Sequence, residues 1–209
     1  MFVRDTIYKV DCTEGAYVYA IKNDHGITLI DTNFPGKGGD VLAELASVGL
    51  DQVDRILLTH IDGDHIGGAK AIQDQTGCKV YLSAREQEAI DDPTKNKTYG
   101  ERKNTLEGLE EPTLTVLEGD EIGGLQIIPA YGHTWGHTCY RFGDVLFCGD
   151  LVQEENGGWV ELALRYIRDR EQSWIAIQEV SDNNEFTLVC PTHGEPLECD
   201  RIEFVKREE

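Results

Sequence analysis

One stretch, from residue 55 to residue 75, constrains the fold more than any other part of this sequence. It begins with the apolar run Arg55-Ile56-Leu57-Leu58, which predicts a buried strand, and from His65 onward it predicts a helix. Two imidazoles and two carboxylates lie at the junction: His60, Asp62, Asp64 and His65. Side chains at such a strand-to-helix junction can converge on one point in front of a sheet.

The residue types in this cluster are those that bind divalent metals. Imidazole nitrogens and carboxylate oxygens are the usual ligands of zinc and of other first-row metal ions. Alternate residues of an extended segment point the same way, so His60, Asp62 and Asp64 can share one side of the chain. Gly67 and Gly68 weaken a helix start, and we expect them to permit close approach of another backbone segment. The alternative is a polar surface turn in which Asp64 caps the helix, but such a cluster after a buried strand favours a metal site.

Three further segments carry ligand-type residues later in the chain. They are Gly132-His133-Thr134-Trp135-Gly136-His137, Leu146-Phe147-Cys148-Gly149-Asp150 and Pro191-Thr192-His193-Gly194. Together with the first cluster they resemble the metallo-β-lactamase superfamily, whose signature is His-x-His-x-Asp-His-x-Gly. Asp62 stands where that signature has its second His. The resemblance extends from about Val10 to about Pro196, and it is specific for the fold and the metal site rather than for the substrate.

The resemblance implies a site for two divalent metal ions, of which zinc is the favoured identity. One ion would be bound by His60, Asp62 and His133, and the other by Asp64, His65 and His193, with Asp150 bridging them. Asp64 would also orient the attacking hydroxide. His137 follows His133 at helical spacing, and we expect it to support the ligands from beside them rather than to bind metal.

Asp62 is the informative departure from the family signature. A carboxylate in place of an imidazole lowers the positive charge of the site, which weakens it as a Lewis acid. It also suits iron or manganese better than an all-imidazole first site would. Some diiron oxygen or nitric oxide reductases of the superfamily carry an acidic residue here, although no flavin domain is expected in this chain. We therefore expect Asp62 to be a true ligand.

The order of predicted elements indicates an α/β fold in one domain spanning residues 1–209. Strands alternate with helices, and meanders occur in both halves, which favours two mixed sheets with helices outside. The resemblance implies the superfamily's four-layer αββα sandwich. Among the individual elements, we expect one strand at residues 2–10, a loop at 154–158 and a last strand at 186–190.

Two loops are candidates for contact with substrate. In the superfamily, a loop near residues 32–36 borders the mouth of the active site, which implies that Phe34 touches substrate. Residues 91–112 are polar and hold a basic cluster of four side chains: Lys95, Lys97, Arg102 and Lys103. This segment is either a solvated loop or a lid that recruits an anionic substrate, and the sequence leaves both open.

The composition excludes several classes of partner. With 39 acidic against 19 basic residues, the formal charge is −20, which disfavours binding to nucleic acids and to anionic membranes. No stretch approaches the roughly 18 apolar residues of a membrane span, and the N-terminus does not resemble a signal peptide. Six cysteines without a Cys-x-x-Cys spacing indicate reduced thiols in a cytoplasmic protein. Cys139, Cys148 and Cys190 are expected to be small buried core residues.

The leading functional hypothesis is a metal-dependent hydrolase that uses a metal-bound hydroxide on a small ester, thioester or lactone. A small-molecule phosphodiesterase of the same fold is an alternative. A second class is redox chemistry: a diiron oxygen or nitric oxide reductase-like enzyme, or a sulfur dioxygenase, which iron content and oxygen consumption would reveal. A third class is a metal-binding module without catalysis, which turnover of an ester panel, abolished by chelation, would exclude.

Overall fold

The computed structural model describes residues 1–13, 15–96 and 111–208, and this part of the chain divides into two compact units. The first unit contains the described residues up to 82 and residues 111–117. The second contains residues 83–96 and 118–208. Each unit has its own sheet, and each carries part of the predicted ligand set. The single domain over residues 1–209 stays a prediction.

The first unit is built on a seven-stranded mixed sheet whose strands follow one another in chain order. The strands are β1 (Phe2–Arg4), β2 (Ile7–Lys9), β3 (Tyr19–Asn23), β4 (Gly26–Ile30), β5 (Val53–Leu57), β6 (Lys79–Leu82) and β7 (Leu114–Val116). Neighbours from β1 to β4 are antiparallel, and those from β4 to β7 are parallel. The predicted strand at 2–10 is therefore wrong, because the chain turns back at residues 5–6 and Phe2 pairs with Tyr8.

Three helices accompany this sheet: α1 (Gly38–Ser47), α2 (Gly63–Ile66) and α3 (Ala69–Thr76). The continuous helix predicted from His65 is thus interrupted after α2. Gly67 and Gly68 occupy the interruption, where a Cβ would lie 2.3 Å from the Pro35 nitrogen or from the Thr32 oxygen, respectively. The two glycines let the neighbouring segment approach closely, as the sequence predicted, and α3 starts only beyond that contact.

The second unit contains a six-stranded sheet, a three-stranded sheet and two helices. The larger sheet has the order β15 (Leu197–Glu198), β14 (Leu188–Pro191), β11 (Val145–Gly149), β10 (Thr138–Phe142), β9 (Leu125–Pro129) and β8 (Glu121–Ile122). Its only parallel pair among the described strands is β11 with β14. The smaller sheet contains β12 (Gln153–Glu155), β13 (Gly158–Val160) and β16 (Phe204–Val205).

The small sheet corrects two sequence predictions. The loop predicted at 154–158 is the turn of a hairpin, because Asn156 and Gly157 both have positive φ, of 54° and 81°. That backbone conformation suits a tight turn between twisted antiparallel strands. The strand predicted at 186–190 is present as β14, but it is not the last, since β15 and β16 follow it.

The helices of the second unit, α4 (Ala84–Asp91) and α5 (Arg170–Asn183), both begin at side-chain caps. Ser83 accepts a hydrogen bond from the amide of Glu86, and Asp169 accepts one from the amide of Gln172. Helix α5 packs on an apolar core that contains Ile177, Val180, Trp159 and the buried thiols of Cys139 and Cys148.

The cysteines behave as the sequence predicted. No disulfide joins the six of them, all of which belong to the described residues. Cys139, Cys148 and Cys190 are buried, and burial raises the pKa of the Cys148 thiol. Within the described residues, no helix combines the length and the apolar character that crossing a membrane requires.

Candidate metal centre

The first unit brings together four of the predicted ligands on the segment between β5 and α2. The Nε2 atom of His60 lies 3.3 Å from Oδ2 of Asp62, and Nε2 of His65 lies 3.9 Å from Oδ2 of Asp64. The two imidazole rings are adjacent, with their centroids 3.9 Å apart. His60 and His65 are fully buried and Asp62 is only 6% exposed, so this cluster is not a surface turn.

The backbone explains how the carboxylates reach this position. Asp62 is the N-cap of α2, with extended backbone angles, yet its side chain makes no capping hydrogen bond. Asp64 lies in the first turn of the same helix. A carboxylate that does not cap can turn toward His60 instead, and the alternative in which Asp64 caps the helix does not occur.

Asp31, at the end of β4, orients both histidines and was missed in the sequence. Its Oδ2 atom lies 2.8 Å from Nδ1 of His65 and accepts the hydroxyl hydrogen of Thr59 over 2.8 Å. The Thr59 hydroxyl lies 3.0 Å from Nδ1 of His60. Because the hydroxyl donates to Asp31, it accepts from Nδ1 of His60, so both rings carry their hydrogen on Nδ1 and present a lone pair on Nε2.

The signal for Asp31 in the sequence is modest. Asp31 directly follows β4, just as the ligand cluster follows β5. These two strands are parallel neighbours in the sheet. Asp31 has a positive φ of 58°, an uncommon conformation for a residue with a side chain. Its Oδ1 atom also accepts the Thr59 amide over 2.8 Å. The carboxylate is therefore held from two directions while it orients the rings.

The second unit brings together the other three predicted ligands. The two oxygens of Asp150 face two different imidazoles: Oδ2 lies 3.5 Å from Nε2 of His133, and Oδ1 lies 3.4 Å from Nε2 of His193. Asp150 and His133 are buried, whereas the His193 side chain is 28% exposed. The parallel strands β11 and β14 deliver Asp150 and His193, since both residues follow the carboxyl ends of those strands.

His137 touches this group through the backbone. Its Nε2 atom accepts a hydrogen bond from the amide of Asp150 over 3.1 Å, and its ring packs edge-on against His133 at a centroid distance of 5.8 Å. Because Nε2 of His137 accepts the amide hydrogen of Asp150, this nitrogen faces the Asp150 backbone and not the Asp150 carboxylate. This contact fixes the backbone from which the Asp150 carboxylate extends.

Glu86, in the first turn of α4, holds the loop that carries His133. Its buried carboxylate accepts hydrogen bonds from the Thr134 hydroxyl and, over 2.9 Å, from the Gly136 amide. A Cβ on Gly136 would lie 2.4 Å from the Glu86 nitrogen. The Glu86 carboxylate therefore anchors the loop from residue 132 to residue 137.

The two candidate substrate loops are only partly described. Phe34 lies in the loop between β4 and α1, and 45% of it is exposed; its contact with substrate stays a prediction. In the predicted lid at residues 91–112, Lys97, Arg102 and Lys103 lie outside the described residues. Lys95 is described, and its Nζ atom forms an ion pair with Glu88 over 2.7 Å.

The donors within each unit have the chemistry and the spacing that a divalent ion requires. Two nitrogen or oxygen ligands about 2.0–2.1 Å from a tetrahedral ion lie roughly 3.3–3.4 Å from each other. The donor pairs His60–Asp62, His133–Asp150 and His193–Asp150 are separated by 3.3, 3.5 and 3.4 Å. The pair His65–Asp64, at 3.9 Å, is somewhat wider.

Comparison with known proteins identifies the family of the chain. The family model described as the metallo-beta-lactamase superfamily matches residues 13–193. The chain belongs to the metallo-β-lactamase superfamily. Its mixed sheets with helices also match solved structures of that fold. One is a subclass B3 metallo-β-lactamase of Bradyrhizobium japonicum, at 25% identity and a TM-score of 0.66, over 92% of this chain and 76% of that chain. The predicted fold class is thereby confirmed.

Relatives outside the β-lactamases include hydroxyacylglutathione hydrolases. The protein of Aeromonas salmonicida is 32% identical over 151 residues, which cover 70% of this chain and 50% of the relative. The protein of Klebsiella pneumoniae is 28% identical over 181 residues, which cover 85% of this chain and 61% of the relative. The chain thus spans between about half and three-fifths of the length of these superfamily members.

Proposed function

We propose that this chain is a metal-dependent hydrolase of a small ester, thioester or lactone, and that a thioester is its substrate class. The observation that carries the proposal is the carboxylate of Asp150, whose two oxygens each face a different imidazole at 3.4–3.5 Å. A carboxylate that faces two such donors is suited to bridge two ions. The thioester class is supported by the names of the relatives, which are hydroxyacylglutathione hydrolases.

The proposed ligands are those of the family pattern. They are His60, Asp62, Asp64, His65, His133, Asp150 and His193. When bound, two divalent ions, with zinc as the first candidate, supply Lewis-acid activation of water near neutral pH. Three of these seven ligands are carboxylates. The net charge of the centre is therefore less positive than it would be with a histidine at position 62. Asp64, whose side chain is 24% exposed against 8% for Asp62, would orient the attacking hydroxide.

The remaining residues of the proposed mechanism position ligands. Asp31 and Thr59 keep the ring hydrogens of His60 and His65 on Nδ1, so that both Nε2 atoms remain available. His137 holds the backbone of Asp150. Glu86 anchors the loop that carries His133. No side-chain nucleophile is needed in this scheme.

The test is a substrate panel combined with chelation. Purified protein is assayed on an S-hydroxyacylglutathione, a neutral aryl ester and a lactone, before and after a chelator and again after addition of zinc. We expect thioester turnover that is lost with the metal and restored with it. The variant His133→Asn should lose this turnover, whereas His25→Asn, at an exposed turn histidine, should keep it. Turnover that survives both chelation and His133→Asn would exclude the proposal.

One observation favours a second candidate, a diiron redox enzyme. Asp62 stands 3.3 Å from His60, where the family signature has a histidine, and an added carboxylate suits iron. Two irons per chain in protein purified without added metal, together with oxygen consumption on a persulfide, would support this candidate. Zinc or manganese without oxygen consumption would exclude it.

A further inference from the structure

A cluster of cations surrounds the indole of Trp135 in the second unit, on the loop that carries His133 and His137. Three side chains lie over this ring: Arg85 at 4.2 Å, Arg168 at 4.4 Å and the Lys95 ammonium at 5.5 Å from its centroid. Arg85 also lies 4.0 Å from the centroid of Tyr131. A protein with a formal charge of −20 thus concentrates three positive charges around one aromatic side chain.

Two of these cations already have partners. Lys95 pairs with Glu88, whose carboxylate also accepts the Trp135 indole hydrogen over 3.2 Å. The Nε atom of Arg168 donates to the carbonyl oxygen of Lys95 over 2.5 Å. The Arg168 side chain therefore bridges two segments of the second unit. The Glu86 carboxylate, also close to this cluster, accepts hydrogen bonds from Thr134 and Gly136.

Arg85 differs from Lys95 and Arg168 in the contacts that the described residues make with it. Among the described residues it makes cation–π contacts with Tyr131 and Trp135 and no hydrogen bond or ion pair. Stacking engages the faces of a guanidinium and leaves its in-plane N–H groups directed at its edge. A partly buried guanidinium held in this way is pre-organised to bind a carboxylate with two parallel hydrogen bonds.

The cluster adjoins a proposed ligand within the same unit. Trp135 lies two residues from His133, and the amide of Arg168 donates to the His133 carbonyl oxygen over 3.0 Å. Burial lowers the pKa of the Arg168 guanidinium, and the positive charge of Arg85 also lowers it. The carboxylates of Asp169 and Glu86 raise the pKa of Arg168 and so act in the opposite direction. The two guanidiniums therefore repel each other, and an anion between them and solvent would relieve that repulsion.

We propose that Arg85, stacked on Tyr131 and Trp135, is a specificity-determining residue that binds a carboxylate of the substrate. This inference rests on the proposed thioester hydrolase function and deepens it: the preferred substrate is an anionic thioester rather than a neutral one. Arg168 supports the subsite through its charge. The alternative is that the stack only stiffens the His133 loop, in which case its loss would affect charged and neutral substrates equally.

The test uses matched pairs of thioesters and the metal-loaded protein. S-acetyl mercaptoalkanoates of increasing chain length are compared with their methyl esters, which differ only in the negative charge. The variant Arg85→Met keeps an apolar stem against the two rings and removes the charge. The control Arg165→Met removes the same charge from an exposed arginine that stacks on Tyr166 outside the cluster.

For the wild-type protein we expect a preference for the carboxylate in kcat/KM that weakens with added salt. Arg85→Met should lower kcat/KM for the carboxylate roughly 10- to 100-fold, the size of a lost charge-assisted pair, and leave the methyl ester within about twofold. Arg85→Lys should restore only part of the preference, because it lacks the planar fork. Equal losses on both thioesters, or a similar loss in Arg165→Met, would overturn the proposal.

A binding measurement separates this proposal from the hydrolase function. Non-hydrolysable thioether carboxylates and their methyl esters are titrated calorimetrically into the wild-type protein and into Arg85→Met. If the protein binds the carboxylates only when Arg85 is present but shows no thioester turnover, the subsite proposal stands and the hydrolase proposal is wrong. Turnover without any carboxylate preference, in binding or in kcat/KM, would reject the subsite and retain the hydrolase.

Discussion

Asp31 and His65 form the contact on which the first-unit ligand cluster depends: Oδ2 of Asp31 lies 2.8 Å from Nδ1 of His65. The same carboxylate accepts both the amide and the hydroxyl hydrogens of Thr59, which in turn contacts His60. One buried side chain therefore determines which nitrogen of two imidazoles carries the hydrogen. Whether both Nε2 atoms are free of hydrogen and able to bind a metal ion therefore depends on Asp31.

The first prediction follows from replacing that carboxylate. In Asp31→Asn, an amide NH₂ placed toward His65 would meet the ring N–H, so the ring is driven to the tautomer that carries its hydrogen on Nε2. We expect metal affinity to fall about 10- to 100-fold, measured by competition with a chromogenic chelator. Asp54→Asn is the control, because Asp54 also accepts a backbone amide, from Ile27 over 2.7 Å, in the same sheet. Equal metal affinity in Asp31→Asn and wild-type protein would contradict the assigned role.

The second prediction concerns His137 as a support of Asp150. In His137→Phe, the Asp150 amide loses its acceptor, and a buried unsatisfied amide costs about 1–3 kcal/mol. We expect lower stability in urea and weaker metal binding, but a smaller loss of metal than in His133→Asn. His137→Gln offers an oxygen acceptor and should recover part of both properties. A complete loss of one metal in His137→Phe, with unchanged stability, would instead identify His137 as a ligand.

The third prediction tests whether Asp62 binds metal. Its Oδ2 atom lies 3.3 Å from Nε2 of His60 and it does not cap α2, so its carboxylate stands beside another proposed ligand. We expect Asp62→Asn to lower the metal content and the turnover. Asp62→His should shift the preference from manganese or iron toward zinc, measured by elemental analysis after growth with each metal. Unchanged stoichiometry and turnover in Asp62→Asn would rule out the ligand role.

Much of the fold and the donor types could be predicted from the sequence, for reasons that are local. A buried apolar run followed by ligand-type residues specifies a strand and its exit, and the segments around His133, Asp150 and His193 repeat that pattern. The caps at Ser83 and Asp169 are likewise signalled by their neighbours in the sequence. These features depend on residues a few positions apart.

The features that escaped prediction depend on contacts between distant residues. Asp31 contacts Thr59 across 28 positions, and Glu86 contacts Gly136 across 50, so neither partner is visible from its own segment. The break between α2 and α3 arises for the same reason, since it is caused by the approach of Pro35 and Thr32 to the two glycines. The hairpin at 153–160 was missed because its first strand, Gln153–Glu155, is polar and its second, Gly158–Val160, is too short to show the alternation that indicates a buried face.

The fourth prediction concerns the close approach at Gly68. An added Cβ would lie 2.3 Å from the Thr32 oxygen, which is backbone and cannot move aside easily. We expect Gly68→Ala to destabilise the protein by about 1–3 kcal/mol and to shift its urea midpoint downward. Gly39→Ala is the matched control, because Gly39 lies in α1 with nothing within 4 Å of the added Cβ. It should be neutral or stabilising by up to about 1 kcal/mol. Equal midpoints for the two variants would contradict the steric argument.

The fifth prediction concerns pH and the half-buried carboxylate of Glu44 in the first unit. Glu44 accepts the Tyr8 hydroxyl over 2.9 Å and the amides of Asp11 and Cys12 over 2.6 and 2.7 Å. Burial, followed by the hydrogen bond to Glu44, raises the pKa of Tyr8 from 10.0 to about 12 and that of Cys12 from 9.0 to about 12. Although burial opposes it, these hydrogen bonds lower the pKa of Glu44 from 4.5.

The signs of these shifts determine the stability profile. Because the pKa values of Tyr8 and Cys12 are raised, their contribution to the free energy of unfolding is complete below pH 9. It is lost as the pH rises toward about 12. The lowered pKa of Glu44 means that its contribution is present above pH 4.5 and is lost below it. In Glu44→Gln, urea denaturation at a series of pH values should therefore show shallower declines on both sides, because the carboxylate charge that couples the three groups is gone. The exposed Glu203→Gln should keep the wild-type profile. An unchanged profile in Glu44→Gln would show that Glu44 contributes to neither limb.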